Sequence, residues 1–468
     1  MRIAMVSEHA SPLAALGGAD AGGQNVYVAR LTEELARRGH DVTVYTRRDA
    51  QDLPDRVPLP GGAVVEHVPA GPAEPLPKDE LYEHMPAFGA YLARVWGRWR
   101  PDVVHSHFWM SGTASLIGAR PHGVPVVHTF HALGTVKRRH QGTADTSPPE
   151  RIAAERRLGR ACDRILATCT DEVRELARMG VPVKRVSVVP CGVDTDSFRP
   201  DSGDVGRGTG LSRPGAGHLG PGTGLSRPGA GHLGPDTGPF LPDTGQVGRD
   251  TGPFDPGTGQ VPADTAIDTP PRRQRHRLLS CGRLVPRKGY DLAIRALAHI
   301  PDTELLLAGG PPDGQLAGDP EARRLLGLAR ETGVRDRVRL LGAVDPNRMP
   351  ALMRSADLVL CTPVYEPFGI VPLEAMACGV PVIATDVGGH RDTVADHDTG
   401  RLVPPADPGA IAAAALELLG GDRLRRRYGR AGRERVMGRF TWQRVADGTE
   451  QVYRQALAGH EVPTEVAS

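Results

Sequence analysis

Two glutamates that stand eight positions apart, Glu366 and Glu374, mark the segment of the sequence most able to do chemistry. The first lies in the turn YEPFG, where a proline and Gly369 permit a tight bend, and the second lies in the apolar run IVPLEAMA. That run predicts a helix beginning at Ile370–Val371, since a proline such as Pro372 is tolerated in a first turn. One carboxylate therefore precedes the predicted helix, and the other lies about one turn inside it.

The start of this predicted helix can bind an anion. The free N–H groups of Gly369, Ile370 and Val371 would point outward with the positive end of the helix dipole, which suits a phosphate. Glu366 would repel that phosphate, so we expect it to accept hydrogen bonds from sugar hydroxyls, and we expect Glu374 to accept from a ribose diol. Together these features predict a nucleotide-sugar pocket, although each glutamate alone fits a solvated turn or a surface helix position.

A pair of cations follows a predicted strand in the segment CGRLVPRKGYD. Arg283 can form a forked contact and Lys288 supplies a point charge, a combination that suits a diphosphate leaving group. Fixed cations stabilise the charge that develops as a glycosidic bond breaks. A solvated basic loop is the alternative interpretation, and Arg287, between the two cations, is expected on the surface.

Glycines and histidines supply further candidates. The loop GGADAGG ends at Gly23, directly before a predicted helix, and lets the backbone approach a phosphate, although it is neither a Walker loop nor a GxGxxG fingerprint. His105 and His107 have the spacing of two metal ligands on one strand, but no third ligand stands nearby, so packing is the better interpretation. His131, at a predicted strand end, is expected at the mouth of a cleft as an active-site histidine.

Short β-branched runs alternate with helical patterns on both sides of a low-complexity segment. This rhythm predicts two Rossmann-like, doubly wound α/β domains that face a cleft at the carboxyl ends of their strands. We assign residues 1–198 to the first domain, 276–440 to the second, and 441–468 to a C-terminal helix and tail. The predicted strands are 2–7, 41–46, 102–107, 125–130, 164–170, 185–190, 304–310, 337–342, 357–362 and 381–386, with another that ends at Arg283.

The segment 199–275 between the two domains is rich in Gly, Pro, Thr and Asp. TGLSRPGAGHLGP occurs in it twice, at 209–221 and 223–235. So few large apolar groups cannot offset the entropy of ordering the chain, and two short Gly-Pro units would bury nothing as a solenoid. We predict a disordered insertion.

Composition excludes several classes of protein. The net charge is +2, with Lys+Arg 57 against Asp+Glu 55, so no strong field indicates a nucleic-acid partner. The 6 cysteines show no zinc or disulfide spacing, and no signal peptide or membrane span is evident. We expect a cytoplasmic protein without metal or cofactor, leaving open a peripheral membrane association and the oligomeric state.

The three constellations of glutamates, cations and glycines together resemble family 4 of the retaining glycosyltransferases, whose GT-B fold pairs two Rossmann-like domains. The resemblance covers nearly the whole chain outside the 200–275 insertion, and the closing segment FTWQRVADGTEQVYRQAL is similar to final helices that cross back to the first domain. It implies a donor signature at Glu366 and Glu374, a diphosphate-binding pair at Arg283 and Lys288, a loop glycine near the donor phosphate at Gly23, and a histidine near the transferred sugar at His131.

Two branches of that family are the most similar. DAGGQNVYV and the N-terminal strand resemble the branch that glycosylates inositol phosphate, and FHALGTVKRRHQG resembles the sucrose-phosphate synthases. Phe108 and Ala132 stand where the first branch has a tyrosine and a threonine, and each lost hydroxyl would weaken a phosphate site by about 1–2 kcal/mol. The acceptor-binding positions implied by the resemblance are His9, Asp20, Asn25, Lys78, Lys137 and Arg151.

The expected activity is retaining transfer of a hexose or N-acetylhexosamine from a nucleoside diphosphate sugar, with UDP the expected nucleotide, to a hydroxyl of a phosphorylated sugar or polyol. The sugar donor is then a co-substrate rather than a cofactor, and the carboxylates bind it rather than act as a hydrolase pair. A lipid-linked or polysaccharide acceptor, a nucleotide-sugar epimerase and a sugar-binding protein without turnover are the alternatives.

Overall fold

The structure is a computed structural model that describes residues 1–13, 22–201 and 269–460. These residues all fall within one compact unit that contains two β-sheets. Asp20 and most of the predicted insertion, residues 202–268, lie outside the described residues, so the prediction of disorder stays a prediction.

The first sheet has eight strands in the order β3-β4-β2-β1-β5-β6-β7-β8, and every neighbouring pair is parallel except β3 with β4. Its strands are β1 Arg2–Val6, β2 Asp41–Arg47, β3 Arg56–Pro58, β4 Val64–Val68, β5 Val103–His107, β6 Val126–Thr129, β7 Arg164–Ala167 and β8 Val186–Val188. The α-helices of this half are α1 Gly23–Arg37, α2 Met85–Trp96, α3 Trp109–Ala119, α4 Gly134–Gln141, α5 Arg151–Ala161 and α6 Thr170–Arg178. Apolar clusters cover both faces of the sheet.

The second sheet has six parallel strands in the order β11-β10-β9-β12-β13-β14. Its strands are β9 His276–Cys281, β10 Thr303–Ala308, β11 Val338–Gly342, β12 Leu358–Cys361, β13 Val382–Thr385 and β14 Gly400–Val403. The helices that follow are α7 Tyr290–Leu297, α8 Pro320–Glu331, α9 Met349–Arg354, α10 Ile370–Ala377, α11 His390–Thr393, α12 Pro408–Gly420, α13 Asp422–Arg439 and α14 Trp442–His460.

The predicted fold class is confirmed, and each predicted strand is present to within a few residues. The strands that sequence reasoning missed are β3, β4 and β14. Two of them are short strands at sheet edges, where one-sided pairing needs less apolar character, and β3 carries Pro58. None of the helices in the described residues combines the length and apolarity needed to cross a bilayer.

The last helix, α14, packs on the first sheet rather than the second. Trp442, Val445 and Tyr453 belong to the same buried cluster as Ile3 and Tyr27. The approach at Trp442 is so close that a Cβ on Gly192 would lie 2.7 Å from its indole ring. The last described helix therefore packs against the strands of the first sheet.

The segment between the two predicted glutamates also packs on the first domain. Tyr365 contacts the core of that domain and stacks on His140 of α4, with ring centroids 5.2 Å apart at 18°. Phe368 and Ile370 pack against the apolar cluster of β1 and α1. Side chains of the second domain thus fill the interface between the two sheets.

A hydrogen-bonded cap joins the same two domains. The Thr170 N–H at the start of α6 donates to Asp392 Oδ2 at 2.7 Å, and the Thr170 hydroxyl donates to the same carboxylate at 3.0 Å. Asp392 belongs to α11, which Arg435 of α13 holds through hydrogen bonds to two backbone carbonyls. A carboxylate of one domain therefore caps a helix of the other.

We predict that Asp392→Ala lowers the free energy of unfolding by about 1–2 kcal/mol and accelerates hydrogen exchange at the Thr170 amide, because it removes a charged cap. Asp407→Ala is the matched control, since Asp407 caps α12 within a single domain through the Ala410 N–H at 2.9 Å. Unchanged exchange at Thr170 in Asp392→Ala would show that the cap does not hold the domains together.

Candidate active site

A cavity of about 1050 Å³ opens where the carboxyl ends of the two sheets meet. The strand order reverses between β1 and β5 in the first sheet and between β9 and β12 in the second. Residues that follow all four of these strands line the cavity, including His9, Phe108, Arg283 and Glu366. This is the position at which open α/β sheets bind ligands.

The helix α10 begins at Ile370, as predicted, with its N-terminal turn in the cavity wall. Gly369 has φ 76°, a left-handed conformation that favours glycine. The preceding turn is held by the Gly389 N–H, which donates to the Glu366 carbonyl at 2.7 Å, and a Cβ on Gly388 would lie 2.1 Å from that oxygen. These glycines let the turn approach its neighbours closely enough to aim the helix start at the cavity.

A second helix N-terminus lies beside the first. Gly23 is the first residue of α1, and a Cβ on it would lie 3.2 Å from the Ile370 side chain. The Asn25 side chain accepts from the Gly22 N–H at 3.1 Å and donates to the Ser11 carbonyl, which ties the start of α1 to Ser11. The positive ends of two helices therefore converge on one end of the cavity.

Glu366 and Lys288 form an ion pair in the cavity, with Nζ 2.6 Å from Oε2. Burial alone would raise the pKa of Glu366. The opposing effect of Lys288, His390 and Arg287 is larger, so the pKa falls to about 2. Lys288 is placed by Gly289, whose φ is 68° and where a Cβ would lie 1.9 Å from the Thr362 carbonyl. The lysine expected at a diphosphate thus also neutralises the carboxylate expected at a sugar.

The two arginines of this loop differ from expectation in their exposure. Arg283 lines the cavity but is exposed, so it lies at the rim. The expectation that Arg287 lies on the surface is wrong, because it is half-buried and lines the cavity too. Burial lowers the pKa of the Arg287 guanidinium, and the like charge of Arg283 lowers it further. Arg287 therefore joins Lys288 as a cation that faces the site.

Glu374 lies in the cavity wall between Leu373 and Ala375, both fully buried. Burial raises the pKa of its carboxyl group to about 8. The protonated form of Glu374 is therefore favoured at pH 7, and it offers one O–H donor beside a carbonyl acceptor. A ribose diol that donated to both oxygens would first require the loss of that proton.

His131 lines the cavity but lies in its wall rather than at its mouth, since it is only 4% exposed. It follows β6 with φ 61°, a strained conformation for a histidine. Its ring meets the edges of Tyr27 and Phe368, at centroid distances of 5.3 Å and 5.5 Å. Its Nε2 lies 3.0 Å from Nδ1 of His107.

The HxH pair on β5 is packed into the core. His105 Nδ1 lies 2.8 Å from the Tyr453 hydroxyl of α14, and its Nε2 lies 2.9 Å from the Thr129 hydroxyl. The described residues contain no cluster of three or more His, Cys, Asp or Glu side chains that could hold a metal ion.

Phe108 lies in the cavity wall between two cations. Lys78 Nζ lies 3.9 Å from the centre of its ring, and Arg151 Cζ lies 5.0 Å from it. Phe108 has φ 78°, so it lies on a strained backbone directly after β5. The ring supplies two cation–π contacts where a hydroxyl would supply a hydrogen bond.

Two of the predicted acceptor-binding cations already contact carboxylates. Lys137 Nζ lies 3.0 Å from Asp145 Oδ1, and Arg151 Nε lies 2.8 Å from Glu155 Oε1. Arg151 also donates to the Ala132 carbonyl at 2.9 Å. Both cations line the cavity, so a ligand there would share them with the protein.

His9 reaches the cavity from the end of β1 with its ring held by a buried neighbour. Its Nδ1 lies 2.7 Å from Glu8 Oε1, and the Glu8 side chain is fully buried. Burial would raise the pKa of Glu8, but His9, Ser111 and Lys78 lower it below its usual range. His9, Asn25, Lys78, Lys137 and Arg151 all line the one cavity, and Asp20 lies outside the described residues.

Comparison with known proteins decides the family. Residues 21–197 match the model described as Glycosyltransferase Family 4, and residues 267–435 match Glycosyl transferases group 1. Two relatives named D-inositol 3-phosphate glycosyltransferase, from Acidothermus cellulolyticus and Xylanimonas cellulosilytica, are 36% and 35% identical. Those alignments cover 98% and 97% of this chain, and 91% and 97% of the relatives. This chain belongs to glycosyltransferase family 4.

Solved structures agree with the fold of that family. Sucrose-phosphate synthase from Thermosynechococcus elongatus has a TM-score of 0.75 at 29% identity, over 98% of this chain and 99% of that one. HepE of Anabaena in complex with UDP has a TM-score of 0.65 at 15% identity, over 97% and 100% of the two chains. The protein is a glycosyltransferase with the GT-B fold, as the sequence motifs indicated.

Several residues of the glycosyltransferase cavity were missed from the sequence. His390 is buried in its wall, where its Nδ1–H donates to the Thr385 carbonyl at 2.9 Å, and it lowers the pKa of the Glu366 carboxyl group. Tyr365 was likewise missed, and Arg287 was considered but assigned to the surface. The pair Gly388–Gly389 directly before His390 is a signal that could have indicated a close backbone approach.

We predict that a nucleoside diphosphate such as UDP, bound with its ribose diol on Glu374, releases a proton from this carboxyl group at pH 7, because burial raises its pKa to about 8 and the diol favours its ionised form. Calorimetry in buffers of different ionisation enthalpy measures this release. Glu374→Gln is the control and should abolish it, and a binding enthalpy independent of buffer in the wild type would show that Glu374 stays a neutral donor.

Proposed function

We propose that this glycosyltransferase moves a hexose or N-acetylhexosamine, with retention of anomeric configuration, from a nucleoside diphosphate sugar to a hydroxyl of a small sugar or polyol. The observation that carries the proposal is the convergence of two helix N-termini and the cations Arg283, Arg287 and Lys288 on the cavity that holds Glu366. A diphosphate is the leaving group that matches this charge. UDP is the proposed nucleotide, and HepE, of similar fold, was solved with it.

The proposed roles follow from position and charge. The starts of α1 and α10 and the cations at 283, 287 and 288 bind the diphosphate, Glu366 orients the donor sugar, and Glu374 contacts the ribose. When a diphosphate binds, Lys288 lies between it and Glu366, so it can neutralise both anions. Neither glutamate needs to transfer a proton for this arrangement to work.

The transfer step needs only the sugar donor and the acceptor hydroxyl as reactants. The acceptor oxygen forms a bond to the anomeric carbon on the face from which the diphosphate leaves, and the carbon–oxygen bond to the phosphate breaks. The bonding electron pair goes to the diphosphate, whose oxygen takes the proton of the acceptor hydroxyl. Exclusion of water by the packed domain interface suppresses hydrolysis of the donor.

A phosphorylated acceptor is the proposed second substrate. The relatives' names specify D-inositol 3-phosphate, and the similar solved enzyme is a sucrose-phosphate synthase. Lys78, Lys137 and Arg151 line the acceptor half of the cavity. Because Phe108 and Ala132 offer no side-chain hydroxyl there, the phosphate contacts would come chiefly from these cations.

A donor and acceptor screen tests the proposal. Nucleoside diphosphate release is measured with UDP-, GDP- and ADP-sugars against inositol phosphate, fructose 6-phosphate and glucose 6-phosphate, each beside its unphosphorylated counterpart. We expect release that depends on a phosphorylated acceptor, with retention seen by proton NMR of the product. An epimerised donor formed without acceptor, or no turnover with any pair, would overturn the proposal.

We predict that Lys288→Ala lowers kcat by about 10²–10³-fold, the usual effect of removing one group that stabilises developing negative charge. Lys184→Ala removes an exposed lysine and should leave kcat unchanged. The double variant Lys288→Ala with Glu366→Gln removes the carboxylate left without its partner, so it should recover stability but not activity. Wild-type kcat in Lys288→Ala would rule out the leaving-group role.

The same ion pair makes stability depend on pH. The pKa of Glu366 is lower in the folded protein, about 2, than in the unfolded chain. Its contribution to stability is therefore complete above the ordinary carboxyl pKa and is lost as the pH falls toward 2. We expect the Tm difference between wild type and Lys288→Ala to shrink in acid, and a difference that grew instead would show that Glu366 is not ionised in the pair.

A further inference from the structure

His107 and His131 form a buried pair in the wall of the cavity. Their nearest ring nitrogens, Nδ1 of His107 and Nε2 of His131, lie 3.0 Å apart, and the rings are tilted by 31°. His107 is fully buried on β5, while His131 faces the cavity directly after β6. The pair thus links a core strand to a residue of the site.

The shared hydrogen bond couples the tautomers of the two rings. Burial lowers the pKa of both histidines well below the ordinary value, and neighbouring histidines lower it further, so both rings are neutral at pH 7. Each neutral ring carries one N–H, and only one of them can lie between the rings. Within the described residues the outer nitrogens, His107 Nε2 and His131 Nδ1, have no partner. The two tautomers are therefore coupled, because whichever ring donates the shared proton, the other ring carries its own proton on the outer nitrogen.

The two rings are held very differently. The ring centroids of His107 and His105 are 4.1 Å apart. The His105 ring is itself held on both sides, by hydrogen bonds to the hydroxyls of Tyr453 and Thr129. His131 contacts only the edges of aromatic rings besides His107, and it stands on a strained backbone. The hydrogen bond between His107 and His131 is thus the directional contact that orients the His131 ring.

We propose that His107 is a positioning residue for the transfer reaction, which holds the ring plane of His131 beside the donor sugar and couples the tautomer of His131 to its own. This inference rests on the proposed function, because it assumes that the sugar lies against His131. His107 itself does not contact substrate. The support of the site therefore extends from α14 through Tyr453, His105 and His107 to the cavity wall.

A comparison of two amide substitutions tests this role. His107→Asn places an amide near the position of Nδ1 and can keep the bond to His131, whereas His107→Gln places its amide near Nε2 and cannot. We expect His107→Asn to keep kcat within about threefold and His107→Gln to lower kcat on the order of tenfold to a hundredfold. Affinity for UDP should be the same in both, since neither histidine faces the diphosphate.

His128 provides the matched control. It is equally buried on β6 and its Nδ1 lies 2.8 Å from the Ser106 hydroxyl instead of another histidine. His128→Asn and His128→Gln should lower Tm about as much as the His107 variants, with equal kcat per folded molecule. The inference is overturned if the two His107 variants have the same kcat, or if His128→Gln loses as much kcat as His107→Gln.

The wild-type enzyme separates this inference from the proposed function. Turnover by the wild type with equal loss in both His107 variants overturns only the positioning role. A wild type that releases no nucleoside diphosphate from any sugar donor overturns the proposed function, and the positioning role with it.

Discussion

The meeting of two positive helix ends in one cleft is the constraint on which the rest of the structure depends. The starts of α1 and α10 approach within side-chain contact at Gly23 and Ile370, and Arg287 and Lys288 add charge to the same space. The ionised Glu366 balances part of this charge through its ion pair with Lys288. The carboxylate thus stabilises the cleft that a diphosphate occupies.

Glycines make this approach of backbones possible. Side chains at Gly289 and Gly388 would collide with the Thr362 and Glu366 carbonyls, and Gly369 adopts a left-handed conformation just before α10. Each glycine serves a different contact, yet all act on the loops around the ion pair. The electrostatic arrangement therefore depends on conformations that few other residues could adopt.

Strands and helices set by local sequence patterns could be predicted from the sequence, and side-chain positions set by tertiary contacts could not. The buried strands and the helix at Ile370 were predicted because their patterns are local, whereas the edge strands β3 and β14 are short and carry little signal; β4 was missed although its sequence, VVEHV, has a strand pattern. Arg287 was misplaced because the segment after β12 holds its loop, where the Val364 N–H donates to the Arg287 carbonyl at 3.0 Å, a tertiary contact that spacing does not reveal. The partner of Arg151 was accessible in principle, since Glu155 stands four residues further along the same helix.

The segment around Glu366, which is proposed to bind the donor, also contributes apolar residues to the contact between the two domains. Tyr365, Phe368 and Ile370 pack on the first domain, so the start of α10 has its full surroundings only when the domains are together. A ligand shifts a conformational equilibrium only through contacts that differ between the states. A diphosphate that bridged α1 and α10, as proposed, would make such contacts, so its binding and the packing of the two domains would stabilise each other.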